Sequence, residues 1–179
     1  SATADDSLGV HDMSIQPHPA TLPQQQLLAQ CEVTRERRSG PGGQHRNKVE
    51  TAVVIKHRPT GIRGDASERR SQADNQRMAL FRLRVNLALE IRSEISTGAD
   101  LTPLWNSRLQ NGRISINPTH EDFPALLAEA LDRIVAHEFD LTLSAGELHC
   151  TTSQLTKFMK LQPRALQKVH YRRQDLGLR

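Results

Sequence analysis

Apolar residues recur along this chain with two different periods. Residues 31–37, Cys-Glu-Val-Thr-Arg-Glu-Arg, carry a polar alternation that predicts a strand. Residues 50–57, Glu-Thr-Ala-Val-Val-Ile-Lys-His, are rich in β-branched side chains and predict a second strand. Pro59-Thr60-Gly61 predicts a tight turn, and Ile62 to Ala66 a returning strand. Between the first two strands, residues 38–48 hold Gly, Pro, Gly, Gly and Asn and predict a loop. The period then changes. Ser71 with Asp74 three residues on is a capping-box variant. After it Leu80, Leu83, Leu87, Ile91 and Ile95 recur at spacings of three and four, the apolar stripe of one long helix. Arg77 and Arg84 fall seven apart on another face of that helix.

The second half predicts helices. Thr119, with Asp122 three on and Pro124 in the first turn, opens one whose stripe is Leu127, Leu131 and Ile134. Ser144 with Glu147, and Thr151 with Gln154, are two further capping boxes, predicting a short helix, a turn and another helix. Pro163 opens a last helix to about Arg173, and Pro23 a short early one with Leu27 and Leu28 as its apolar face. Arg113 to Ile116 suits a brief strand. Strands followed by one long helix make an α+β unit, and an all-α region follows it. The expected organisation is a disordered or linker-like N-terminus (1–22), an α+β domain (23–96), a connection (97–118) and a helical, helix-turn-helix-like basic region (119–179).

Composition sharpens this picture at three points. No apolar run approaches the roughly 20 residues needed to cross a bilayer, so no membrane association is expected. The first thirty residues hold no Lys or Arg, which argues against a secretory signal or a mitochondrial transit peptide. Cys31 and Cys150 stand alone, which gives neither a zinc knuckle nor a disulfide framework and suits a reducing cytoplasm. The net charge of +4 hides a pattern. Residues 31–92 hold 14 basic and 7 acidic side chains, residues 93–147 hold 3 and 9, and residues 148–179 hold 7 and 1. Two basic islands flank an acidic middle, and such islands attract phosphates. Aromatic residues are only 3 %, so base stacking is not the expected main mode of contact.

The candidate chemistry lies in Gly42-Gly43-Gln44. Two glycines permit backbone angles closed to other residues and leave the backbone open to another molecule. Successive N–H groups can then point at a developing negative charge, as in an oxyanion hole. Gln44 has an amide and no titratable group, so it cannot serve as an ordinary general base. No Ser-His-Asp set or metal-ligand cluster accompanies it, and no cofactor is expected. A loop of this kind positions and stabilises, while water or the substrate moves the proton. A lone Gly-Gly-Gln would be read as a surface turn.

The wider context resembles a known family. Arg38-Ser39-Gly40-Pro41-Gly42-Gly43-Gln44-His45-Arg46-Asn47-Lys48 is similar to the catalytic loop of class I peptide chain release factors. Glu50-Thr51-Ala52-Val53 and His57-Arg58-Pro59-Thr60-Gly61-Ile62 match that family's next strand and turn. Glu68-Arg69-Arg70-Ser71-Gln72, with Asn75, resembles its helix entry. The match runs from about Cys31 to Leu89. It implies a small α+β domain whose loop enters the peptidyl-transferase centre of the large ribosomal subunit and hydrolyses P-site peptidyl-tRNA. The backbone N–H of Gln44 would stabilise the transition state, and its side chain would place water. Gly42 and Gly43 would allow that geometry. Gln44 would be a candidate for N5-methylation, with a glutamine methyltransferase as a partner. Arg38, Arg46, Lys48, Arg69 and Arg70 would contact ribosomal RNA or tRNA phosphates. His45 would contact RNA or pack the loop, His57 would be structural, and Trp105 would pack the connection against a domain.

The sequence also departs from full release factors. Only about thirty residues precede Cys31, and no motif that reads stop codons is visible among them. Codon-independent rescue of stalled ribosomes by a cytoplasmic monomer is therefore the expected function. Short rescue members of the family end in a flexible basic tail, whereas residues 119–179 here are expected to fold. Within them Lys157 and Lys160 share a face, as do Arg164, Lys168 and Arg172, and both rows are candidate RNA contacts. The competing readings are a non-catalytic assembly or quality-control factor that binds ribosomal RNA, and a DNA-binding regulator acting through the last helices.

Overall fold

A computed structural model describes residues 16–37 and 51–178. The protein is α+β. Three antiparallel strands in the order β1-β2-β3 comprise Cys31–Glu36, Ala52–His57 and Arg63–Ala66. The register pairs Cys31 with His57 and Glu36 with Ala52, so residues 37–51 join neighbouring strands at one end of the sheet. β1 is an edge strand, buried only at Cys31. β2 is central and buries Val53, Ile55 and His57 on its inner face. At the other end Gly61, with φ +73°, completes the expected turn, and its N–H donates to the His57 carbonyl at 2.7 Å.

The helix α2, Gln72–Glu90, lies across the sheet. The Ser71 hydroxyl caps it by accepting from the Asp74 N–H at 3.3 Å. Leu80, Leu83 and Leu87 are buried as their spacing predicts, and so are Ala79, Val85, Ala88 and Leu89. The helix is buried on two sides because α4, Phe123–Ala136, covers the side away from the sheet. At Gly64 an added Cβ would stand 2.3 Å from both the Ala79 oxygen and the Leu83 nitrogen. Glycine there is what lets β3 approach the helix backbone.

The helix stops at Glu90, earlier than the leucine and isoleucine spacing implies, and Ile91 is already extended. Tertiary partners take over the backbone there. The Ile91 carbonyl accepts from the His18 ring at 2.9 Å, and the Ser93 N–H donates to Asp132 at 3.1 Å. Ile95 therefore lies outside the helical stripe.

The expected connection 97–118 contains a helix, α3, Pro103–Arg108, capped by Thr102. It also holds a short hairpin of β4, Leu109–Gln110, and β5, Arg113–Ile114. Trp105 is fully buried, donates its indole N–H to the Leu148 carbonyl at 3.1 Å, and meets Phe158 edge-on at 5.6 Å. It thus fastens α3 to α5, Leu141–Glu147, and to α6, Thr152–Lys160. α5 begins earlier than its expected box. Asp140 caps it, and Ser144 lies inside, donating its hydroxyl to the Asp140 carbonyl at 2.6 Å. Glu147 instead receives His137, Arg133 and the Gly98 N–H. Thr151 caps α6 as expected, and α7 runs from Pro163 to Asp175. α4 starts at Phe123 rather than at Thr119, whose N–H and hydroxyl turn back to Asn117.

One apolar cluster runs through the whole fold, from Leu27 and Ile55 through Leu83, Leu126 and Leu148 to Leu155 and Val169. Residues 16–22, expected within a linker-like N-terminus, are built into it. Ala20 is fully buried, and Arg84 holds its carbonyl through two guanidinium nitrogens at 3.0 and 3.2 Å. The short helix α1, Gln24–Ala29, then buries Leu27. Among the described residues no helix is long and apolar enough to cross a membrane.

Candidate functional site

Gly42, Gly43 and Gln44, with Arg38, His45, Arg46 and Lys48, lie outside the described residues. The root of their loop is described, and it is built from three elements. The Glu36–Ala52 pair closes the strands on either side of it. Next comes Asn75, fully buried in the first turns of α2. Its side-chain amide donates to the Thr51 carbonyl at 2.6 Å and to the Arg69 carbonyl at 2.9 Å, and its oxygen accepts from the Arg69 N–H at 3.0 Å. One side chain thereby ties the C-terminal root of the loop to the crossing from β3 into α2. Burying an amide is tolerable because its donors and its acceptor are all engaged.

The crossing is braced on its other side. Arg82 donates to the Asp65 carbonyl at 2.8 Å and pairs with Glu68, whose other oxygen accepts from the Ser67 N–H at 2.8 Å. Arg82 beside it holds the Glu68 carboxyl down at about 2. Arg69 and Arg70 follow and are exposed, so the structure brings these two candidate contacts beside the loop root. Neither guanidinium has a partner among the described residues.

The titratable groups near the sheet are structural. His57 is buried between the Thr60 hydroxyl at 2.8 Å and the Gln30 side-chain oxygen at 2.9 Å. Burial lowers its pKa, so it stays neutral. Cys31 donates to the Leu27 carbonyl at 3.1 Å, and burial raises its pKa; burial pushes the Cys150 thiol up to about 11. Neither thiol is an activated nucleophile. Among the described residues no three His, Cys, Asp or Glu gather to hold a metal.

The C-terminal candidates divide into two groups. Lys157 and Lys160 are exposed on α6 beside Thr152, Ser153 and Thr156. Arg164, Lys168 and Arg172 each have a surface partner. Arg164 donates to Asn86 at 2.9 Å, Lys168 pairs with Glu90 at 2.8 Å, and Arg172 pairs with Asp175 at 2.7 Å while lying over the Phe139 ring. The first two fasten α7 onto α2.

The RF-1 domain family matches residues 27–103, which span the sheet, the loop, α2 and the start of α3. Over residues 27–103 the chain is thus similar to a release-factor domain. Peptide chain release factor 1 of Chlorobaculum tepidum is 34 % identical over 129 residues, covering 66 % of this chain and 35 % of that protein. The chloroplastic peptide chain release factor PrfB1 of Arabidopsis thaliana is 34 % identical over 112 residues, 58 % of this chain and 24 % of its own length. Peptide chain release factor 1 of Xylella fastidiosa is 39 % identical over 74 residues, 41 % of this chain and 20 % of its own. The chain thus spans a fifth to about a third of the length of these relatives. No solved structure matches it.

Sequence reasoning placed Asn75 in a helix-entry motif but missed what it holds. Its contact with Thr51 crosses 24 positions, and no local pattern signals it.

Proposed function

We propose that this protein hydrolyses the ester bond of peptidyl-tRNA on the ribosome, in the cytoplasm, with the loop 38–48 entering the peptidyl-transferase centre. The observation that carries this reading is the root of the loop. A Gly-Gly-Gln segment joins two registered strands inside a region similar to a release-factor domain, and a fully buried amide pins its exit to the long helix. A rigid root matters because a loop that acts through backbone donors gives transition-state stabilisation only when those donors are held in place. In this reading Gln44 supplies the N–H to the developing oxyanion and its amide orients water, and Gly42 and Gly43 permit the approach. Gln44 is also the site a methyltransferase would modify. Arg38, Arg46, Lys48, Arg69 and Arg70 meet RNA phosphates around the loop, and Lys157, Lys160, Arg164, Lys168 and Arg172 do so from α6 and α7.

The finer form of the proposal is codon-independent rescue by a monomer.

The test compares Gly42→Ala and Gly43→Ala with the wild type on ribosomes carrying peptidyl-tRNA. Release should fall by at least a hundredfold, about 2.7 kcal/mol of transition-state stabilisation, while cosedimentation with ribosomes persists. A wild-type protein that cosediments and leaves the ester intact would instead be a non-catalytic ribosomal-RNA-binding factor.

A further inference from the structure

Beside the loop root, one flank of α2 carries a groove of about 620 Å³, of which the catalytic reading uses Arg69 alone. Arg77, Phe81 and Arg84 line it at helical spacings of four and three, with Met78 alongside and Arg69 at the rim. Arg82 also contributes, so among the described residues four guanidinium groups line one groove, with Glu121 as the one acidic lining residue.

The four arginines are committed to different degrees. Arg84 is spent on the fold, donating to the Ala20 carbonyl and, at 3.0 Å, to the Glu121 carbonyl. Arg82 is held by Glu68 and the Asp65 carbonyl. Among the described residues Arg77 pairs only with Asp74, its neighbour one turn back, and its side chain is 72 % exposed. An exposed pair at that spacing is held by well under 1 kcal/mol, so a phosphate can replace the carboxylate. The Arg69 side chain has no partner among the described residues. Two available guanidiniums and a half-buried phenyl ring therefore line the same groove. Arginines that bind phosphates beside a ring that accepts a base are the chemistry of single-stranded RNA recognition. The groove shares its frame with the loop, because Asn75 grips both Arg69 and Thr51.

We infer that the groove lined by Arg69, Arg77 and Phe81 binds a single-stranded segment of ribosomal RNA, with phosphates on the two arginines and a base against the ring. This rests on the ribosomal reading above, and it adds a docking site that steers the loop from outside the catalytic centre.

The test measures binding rather than release, so it stands apart from the hydrolysis experiment. A fluorescent oligouridylate is titrated with full-length protein at several salt concentrations, and cosedimentation with isolated large subunits is measured in parallel. Arg77→Glu should weaken oligonucleotide binding at least tenfold and lower the salt slope by about 0.7 for each phosphate no longer neutralised. Phe81→Leu, which keeps an apolar side chain in place, should weaken it several-fold. Arg113→Glu, an equal charge change on β5, should leave binding unchanged, and Gly42→Ala should bind as the wild type does. Large-subunit binding should follow the same order. Wild-type affinity in Arg77→Glu or in Phe81→Leu would overturn the inference. So would an equal loss in Arg113→Glu, which would show bulk charge rather than a groove.

Discussion

The Asn75 side chain donates to the Thr51 carbonyl oxygen at 2.6 Å, and this bond joins the entry of the long helix to the exit of the loop. The same side chain holds Arg69 at both its N–H and its carbonyl. In the proposed reaction Asn75 is a positioning residue, acting through the root of the loop. Asn75→Asp keeps the size and the acceptor but turns a carboxylate toward two carbonyl oxygens. Asn75→Ala takes this partner from three backbone groups around a buried side chain, at a cost of about 3 kcal/mol. Single-turnover release at saturating protein should slow at least tenfold in either folded variant. The protein concentration that gives half-maximal release should change less than threefold. An unchanged rate in a variant shown to be folded by circular dichroism would remove the positioning role.

Gly64 and Gly146 make opposite predictions for one substitution. At Gly64 an alanine Cβ would press on the backbone of Ala79 and Leu83 at 2.3 Å, and backbone cannot swing aside. Gly64→Ala should lose at least about 3 kcal/mol in urea denaturation, because β3 and α2 must separate. Gly146 lies within α5, and an added methyl there meets nothing within 4 Å. Gly146→Ala should gain about 0.5–1 kcal/mol through helix propensity and a less flexible unfolded chain. Similar outcomes at the two sites would contradict the packing described for the sheet and helix.

Asp132 gives the fold a pH dependence with a definite sign. It is almost fully buried, and it accepts from Arg92 at 2.8 Å and from the Ser93 N–H at 3.1 Å. Burial outweighs these bonds and pushes its pKa from the ordinary 3.8 up to about 6. Burial also lowers the pKa of Arg92. The folded state therefore keeps a proton that the unfolded state has released between about pH 4 and pH 6. Stability from this group is greatest below pH 4, falls as pH rises through that window, and is fully lost above the folded value. Between pH 4 and pH 7 the wild type should lose on the order of 3 kcal/mol more than Asp132→Asn. Parallel profiles for the two proteins would contradict it.

The legible parts of this fold are those governed by neighbours in sequence. The β-branched run at residues 52–57, the Pro59-Thr60-Gly61 turn and the Ser71 cap all stand where local chemistry places them. Long-range partners hid the rest. The Leu-Ile spacing runs on to Ile95, yet the helix ends at Glu90 because His18 and Asp132 take the next backbone groups. His18 lies 73 positions from Ile91, so residues 16–22 read as linker although they are packed. Thr102-Pro103 is a sound helix start, but six residues are too few to show a period. Ser144 resembles a cap with Glu147 behind it, but Asp140 takes that role while Arg133 and His137 draw Glu147 away. At the candidate site the Gly-Gly-Gln triplet was legible as a motif. The clamp at its root and the groove beside it were not, because each joins residues from separate elements.

The central claim is that the Gly-Gly-Gln loop breaks the peptidyl-tRNA ester without reading a codon. The most direct measurement is the rate of peptide release from ribosomes whose A site holds a stop codon, a sense codon or no codon, with Gly43→Ala as the inactive reference. The account predicts release from ribosomes with no codon at a rate equal to or above that with a stop codon, abolished in the variant. Release confined to ribosomes with a stop codon, or release that Gly43→Ala leaves intact, would contradict it.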